Sequence, residues 1–156
     1  MIVNIQTLLE KFLSSTGVST DTRKIQPGNL FFALKGPNFN ANILAKDALE
    51  KGAIAAVIDD STYDIGNKTL LVEDGLQALQ DLARDYRSSL TIPIIGLTGS
   101  NGKTTTKELL FSVLSQQYHC FATEGNLNNH IGVPLSILQI KPKHEVAVIE
   151  MGANKQ

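Results

Sequence analysis

Residues 92–106 read Ile-Pro-Ile-Ile-Gly-Leu-Thr-Gly-Ser-Asn-Gly-Lys-Thr-Thr-Thr, and this stretch decides the fold of the second half of the chain. Its apolar, β-branched first part predicts a buried strand within residues 91–97, and the small residues that follow predict a tight turn. A helix is predicted from about residue 102 to residue 116. A strand that runs through a glycine-rich turn into a helix is typical of loops that bind phosphate groups.

The backbone of this turn gives the physical reason. Gly99 and Gly102 can adopt conformations that are closed to other residues, so several N–H groups can point inward at the start of the helix. Lys103 adds a mobile cation for the β- and γ-phosphates of ATP, and Thr104 offers its hydroxyl to Mg²⁺. The nucleotide-binding residues predicted in this loop are Gly99, Ser100, Asn101, Gly102, Lys103, Thr104 and Thr105.

One position departs from the general pattern of phosphate-binding loops. The pattern places a glycine five residues before the second glycine of the turn, whereas this chain has Leu97 there and a glycine one residue earlier, at Gly96. The alternative interpretation is an ordinary strand–turn–helix unit in which a threonine caps the helix. The Gly-Lys-Thr sequence at the strand–helix junction favours phosphate binding.

Two later segments carry polar side chains suited to the same ligand. Asn128 and Asn129 lie in a glycine- and asparagine-rich stretch, residues 123–134, and offer donors and acceptors without charge. A solvated loop is the alternative. Glu150 ends a predicted strand, residues 146–150, and ligands of open parallel sheets bind at the carboxyl ends of the strands. We therefore expect Glu150 near the phosphate loop as a Mg²⁺ ligand, the alternative being an exposed glutamate.

Strands and helices alternate along the whole chain, which predicts an α/β fold. The predicted arrangement is a small N-terminal α/β domain, residues 1–89, followed by the start of a parallel-sheet ATPase domain, residues 90–156. A polar segment, residues 35–42, is predicted as a loop between a strand at 30–34 and a helix at 43–51. Because the second sheet would have only two or three strands, we expect the chain to be part of a longer protein.

Composition excludes several classes of function. The 156 residues carry 14 basic and 15 acidic side chains without a basic run, which argues against a nucleic-acid-binding surface. Cys120 is the only cysteine, so neither an intramolecular disulfide nor a cysteine-based metal cluster can form. No apolar run approaches the roughly 20 residues that span a bilayer. These features predict a protein that does not insert into membranes and lies in the cytoplasm.

The three motifs together resemble the Mur ligases. The motifs are the phosphate loop, the stretch Gly125-Asn126-Leu127-Asn128-Asn129-His130-Ile131-Gly132-Val133-Pro134, and Glu150-Met151-Gly152-Ala153-Asn154. Residues 19–36 are similar to that family's uridine-nucleotide-binding domain. By this resemblance, the residues that face the nucleotide sugar are Thr22, Arg23, Gly36, Asn40 and Asn42. Many relatives carry an Asp-Gly-His-type stretch where this chain has Asn40-Ala41-Asn42. The departure lies in the segment that, by the resemblance, would bind the uracil end of the nucleotide.

The second and third motifs look most like the branch of the family that adds D-alanyl-D-alanine to a UDP-N-acetylmuramoyl tripeptide. By this resemblance, ATP phosphorylates the tripeptide carboxylate and the dipeptide amine then attacks the acyl phosphate. Lys103 would be the catalytic residue, stabilising charge on the transferred phosphoryl group. Thr104 and Glu150 would hold Mg²⁺, and Asn128 and Asn129 would line the ATP side. The chain alone is expected to be inactive, since the family's C-terminal domain is absent from it.

Other interpretations stay open at this point. The preceding Mur ligase, which adds the third amino acid, differs mainly in its C-terminal part. Folylpolyglutamate synthetase is a more distant relative whose loop typically continues Gly-Lys-Gly-Ser, whereas this loop continues Gly-Lys-Thr-Thr. A non-catalytic nucleotide-binding module is the alternative from another class.

Overall fold

The computed structural model describes residues 2–152, and the chain divides into two units between Leu82 and Ala83. This division lies inside a helix, Gly75–Ser89, whereas the sequence places the boundary after that helix. The roles assigned to residues 1–89 and 90–156 stay predictions. Ala153 and Asn154, which belong to the third motif, lie outside the described residues.

The first unit is built on a parallel four-stranded sheet, whose strands in spatial order are β1 (Gly17–Ser19), β2 (Asn29–Phe32), β5 (Ala55–Ile58) and β6 (Thr69–Leu71). Two central strands, β2 and β5, are buried at every position, as expected of parallel strands covered on both faces. Leu30 of β2 lies opposite Ala55 of β5. The helices of this unit are α1 (Ile5–Leu13), α2 (Ala45–Glu50) and the first half of α3 (Gly75–Ser89).

Local sequence explains the start and the packing of α1. The Asn4 side chain accepts a hydrogen bond from the N–H of Thr7 at 2.9 Å, which satisfies one of the free donors at the helix start. Leu8 and Phe12, four residues apart, form the buried face. The helix ends at Leu13, before Gly17.

The segment predicted as a loop, residues 35–42, is more ordered than expected. Two short strands, β3 (Lys35–Gly36) and β4 (Phe39–Asn40), pair antiparallel as a hairpin. The predicted helix at 43–51 begins as a 3-10 turn, Ala41–Leu44, and becomes α-helical only at Ala45–Glu50. The hairpin was missed because strands of two residues leave no period in the sequence. The Asn40 side chain starts the 3-10 turn by accepting from the N–H of Asn42.

The second unit carries a parallel three-stranded sheet, whose strands in spatial order are β7 (Ile94–Leu97), β9 (Val146–Glu150) and β8 (Cys120–Ala122). Leu97 lies opposite Glu150, and Ala122 opposite Val148, so all three strands end at the same edge. The α/β fold class predicted from the sequence is confirmed, and both main sheets are parallel. The helices that lie wholly within this unit are α4 (Lys103–Leu114) and α5 (Gly132–Leu138).

Candidate functional site

The turn between β7 and α4 has the backbone that the sequence predicts for a phosphate loop. Gly99 has φ of 131° and Gly102 has φ of 77°, both in the region that favours glycine. A Cβ atom placed on either residue would meet nothing within 4 Å. The glycines are therefore required by backbone conformation, and open space lies beside both of them. Gly102 caps α4 without any side-chain hydrogen bond, which leaves the first N–H groups of the helix for an anion.

Lys103 lies over this turn. Its Nζ donates a hydrogen bond to the carbonyl oxygen of Gly99 at 2.5 Å, so the side chain folds back from the first position of α4 onto the loop. The ammonium group is therefore held beside the backbone N–H groups that would donate hydrogen bonds to a bound anion. Three other predicted loop residues, Ser100, Asn101 and Thr105, are exposed.

Thr104 and Glu150 meet where α4 begins and β9 ends. The Thr104 hydroxyl lies 3.1 Å from Glu150 Oε2 and 3.3 Å from Oε1, although the two residues are 46 positions apart. Glu150 is only 1% exposed, and its Oε1 also accepts from the Asn128 amide at 2.8 Å. A hydroxyl and a carboxylate are hard oxygen donors of the kind that Mg²⁺ prefers. The residues present therefore fit a magnesium ion.

The two predicted asparagines have different surroundings. Asn128 is half-buried and its amide donates to Glu150 at the end of β9, while its predicted position on the ATP side stays a prediction. Asn129 is exposed, and its Oδ1 accepts from the N–H groups of Ile131 and Gly132 at the start of α5. Its oxygen therefore stabilises the loop-to-helix junction, while its contact with ATP stays a prediction. A Cβ on Gly132 would overlap the backbone of Leu127, so this close approach requires glycine.

A cleft of about 390 Å³ in the first unit brings together part of the predicted substrate site. The Arg23 guanidinium donates to both carboxylate oxygens of Asp21, at 2.9 and 2.8 Å, and these bonds, together with one from the Arg23 backbone N–H, lower the pKa of Asp21 to about 2. Phe39 is 54% exposed on the hairpin side of the cleft. The lining residues are Thr20, Asp21, Thr22, Arg23, Phe39, Ala41 and Leu44.

The other three predicted substrate residues lie around this cleft rather than in its lining. Gly36 is exposed in the hairpin, and Asn40 stands between two lining residues, with its side chain engaged in the 3-10 turn. Asn42 is fully buried, and both ends of its amide bond within the protein. Asn42 therefore presents no surface to a ligand, and its predicted contact with substrate has no support.

Asp59 is a residue of this region that the sequence did not single out. Its Oδ1 accepts from Asn42 at 2.7 Å and pairs with Lys35 at 2.9 Å, while its Oδ2 accepts from the N–H of Gly75 at 3.1 Å. Burial alone would raise the pKa of Asp59, but the hydrogen bonds from these three groups outweigh it and lower the pKa. An aspartate that follows a strand gives no signal in the sequence of a cluster whose other members lie far along the chain.

Two family models of the Mur ligases match the chain. The model of the Mur ligase family, catalytic domain, matches residues 14–87, and the model of the Mur ligase middle domain matches residues 97–156. Together the two models account for most of the sequence and for both units. The chain belongs to the Mur ligase family.

The relatives that the chain matches include D-alanyl-D-alanine-adding ligases of the Mur family. The UDP-N-acetylmuramoyl-tripeptide–D-alanyl-D-alanine ligase of Bacillus subtilis is 46% identical over 138 residues, which are 87% of this chain and 30% of that protein. The crystal structure of MurF from Acinetobacter baumannii matches with a TM-score of 0.81 and 34% identity, over 98% of this chain and 36% of that chain. The structure of MurF from Thermotoga maritima in complex with ADP matches with a TM-score of 0.80 and 34% identity, over 92% and 33% of the two chains.

This Mur ligase chain thus spans about a third of the length of the relatives it matches. Within residues 2–152, none of the helices has the length and apolar character needed to cross a bilayer.

Proposed function

We propose that the chain supplies the ATP-binding loop and the UDP-precursor-binding unit of a ligase that adds D-alanyl-D-alanine to UDP-N-acetylmuramoyl-tripeptide. The main support for this proposal is the contact between Thr104 and Glu150 at the start of α4. It joins a hydroxyl and a buried carboxylate beside a glycine turn with open space and free helix N–H groups. An isolated helix start would hold an anion, but only this added pair suits the magnesium ion that accompanies ATP.

In the proposed reaction, a carboxylate oxygen of the tripeptide attacks the γ-phosphorus of ATP, which gives an acyl phosphate and releases ADP. The amine of D-alanyl-D-alanine then attacks the acyl carbon, forms the amide bond and releases inorganic phosphate. The N–H groups at Gly99–Lys103 hold the phosphates, and Lys103 balances the charge that develops on the transferred group. Bound at Thr104 and Glu150, Mg²⁺ would neutralise phosphate oxygens.

Asn128 supports this site by holding one oxygen of Glu150, which fixes the direction of the carboxylate. In the first unit, the cleft beside Arg23 and Phe39 offers a cation and an aromatic face, which suit a diphosphate and a uracil ring respectively. We propose that Thr22, Arg23 and the hairpin that carries Gly36 and Asn40 bind the UDP end of the precursor. The reaction belongs in the cytoplasm, where ATP is supplied.

Calorimetric titration of the chain with ADP plus Mg²⁺, and separately with UDP-N-acetylmuramoyl-tripeptide, tests this proposal. Both ligands should bind. Binding of nucleotide without binding of the tripeptide precursor would favour a non-catalytic nucleotide module. Equal or tighter binding of the dipeptide precursor, which lacks the third amino acid, would favour the preceding Mur ligase. Absence of nucleotide binding would refute the assignment of the phosphate loop.

A further inference from the structure

Lys107 is a buried lysine for which the proposed reaction has no use. Its side chain is only 2% exposed, although it lies on α4 just after the phosphate loop. Nζ donates to the carbonyl oxygen of Thr123 at 2.8 Å and pairs with Glu108 Oε1 at 3.1 Å. Burying an ammonium group is unfavourable unless its hydrogen bonds compensate for the lost hydration. Because the Glu108 side chain is 63% exposed, the carbonyl of Thr123 is the main buried partner.

Thr123 connects this lysine to the metal site. It follows directly on β8, is 1% exposed, and donates its N–H to Val148 of β9 at 3.0 Å. Its hydroxyl oxygen accepts the N–H of Glu150 at 2.9 Å. Thr123 therefore bonds to Lys107 through its carbonyl and to Glu150 through its side chain.

The spacing on α4 places the two contacts side by side. Lys107 follows Thr104 by three residues, so the two side chains lie on the same face of the helix. Thr104 reaches the Glu150 carboxylate directly, and Lys107 reaches the Glu150 backbone through Thr123. The helix that presents the phosphate loop thus holds Glu150 at two points.

We propose that Lys107 is a positioning residue that sets the orientation of Glu150 for the metal–nucleotide complex. This inference rests on the proposed nucleotide and metal site. Without the Lys107–Thr123 bond, the carboxyl end of β8 can shift away from α4, and it carries with it the hydroxyl that holds the Glu150 backbone. The Glu150 carboxylate then loses its alignment with Thr104. The phosphate loop itself, held by Gly99 and Gly102, is unaffected.

Measuring ADP affinity with and without Mg²⁺ separates this role from general support of the fold. In the Lys107→Met variant, we expect Mg²⁺-free ADP affinity to match that of the unaltered chain. The gain in affinity on adding Mg²⁺ should fall by about tenfold or more, as is typical when the support of a metal ligand is removed. Lys143→Met, a change at an exposed lysine of the same unit, should alter neither quantity.

A second variant keeps the test decisive if Lys107→Met does not fold. Thr123→Val removes the hydroxyl that accepts from Glu150 but keeps the carbonyl that accepts from Lys107, and it should lose the same Mg²⁺-dependent gain. If both variants fold, the double variant should lose no more than either single one, because the two contacts are successive links from Lys107 through Thr123 to Glu150.

Three results would overturn the inference. One is an unchanged Mg²⁺-dependent gain in either variant, and the second is an equal loss of affinity with and without Mg²⁺. The third is an unaltered chain that gains nothing from Mg²⁺, which would remove the metal assignment as well. ADP binding with a normal Mg²⁺ gain in the variants would leave the proposed function standing and reject only the role of Lys107.

Discussion

At the residue scale, Lys103 combines two properties that make it sensitive to substitution. It occupies the first position of α4, and its ammonium group reaches back to the carbonyl of Gly99. A hydrogen bond to a charged group is worth about 1.5–3 kcal/mol, so Lys103→Ala should weaken ADP binding by roughly ten- to a hundredfold. Calorimetry measures this loss, with Lys143→Ala as the control on the same unit. Equal affinities for Lys103→Ala and the unaltered chain would take the lysine out of the site.

The parts of the candidate site that depend on local sequence could be predicted from the sequence alone. The phosphate loop is contiguous, and glycines 99 and 102 are needed by their own backbone angles, so the turn could be predicted without tertiary contacts. Glu150 was placed at the correct edge because the carboxyl ends of parallel strands coincide. Lys107, in contrast, looks like an ordinary helix lysine, and its burial arises only when β8 packs against α4.

At the scale of elements, the Asp59 cluster joins the end of β5, the hairpin and the start of α3. Lys35 reaches Asp59 from the hairpin, and Asn42 reaches it from the 3-10 turn that follows. Gly75, whose N–H also bonds to Asp59, is the first residue of α3. Three elements that are distant in sequence therefore share one buried carboxylate. The hairpin and this cluster could not be predicted, because a two-residue strand has no period and the partners of Asp59 lie 16 to 24 residues away.

This cluster predicts a pH dependence of stability. The folded-state pKa of Asp59 lies below its ordinary value of 3.8, so the stabilisation is complete above that value and is lost as the pH falls through the folded pKa. Lys35 carries the facing positive charge, with Asp60 and Asp74 as neighbouring acids. Asp59→Asn should therefore lower the urea midpoint at pH 7 and reduce its further decrease between pH 4 and pH 2. Parallel pH curves for the variant and the unaltered chain would contradict this.

At the scale of the whole molecule, each unit has its own sheet, its own core and its own candidate ligand. The first unit buries Phe31, Ile58 and Ala48 around β2 and β5, and the second buries Ala147 and Val148 of β9. The cleft proposed for the substrate is lined by residues of the first unit, and the predicted phosphate loop and the proposed metal pair, Thr104 and Glu150, belong to the second. Each ligand should therefore bind without requiring the other.

Binding and turnover should then be separable in this chain. The chain spans about a third of its relatives, and the residues described here provide no identified site for D-alanyl-D-alanine. Because the amine must be held against the acyl phosphate for the second step, we expect nucleotide and precursor binding without amide formation. Phosphate release, measured with ATP, Mg²⁺, UDP-N-acetylmuramoyl-tripeptide and D-alanyl-D-alanine, should stay at the level of a Lys103→Ala control. Dipeptide-dependent release above that control would show that these 156 residues already hold the acceptor.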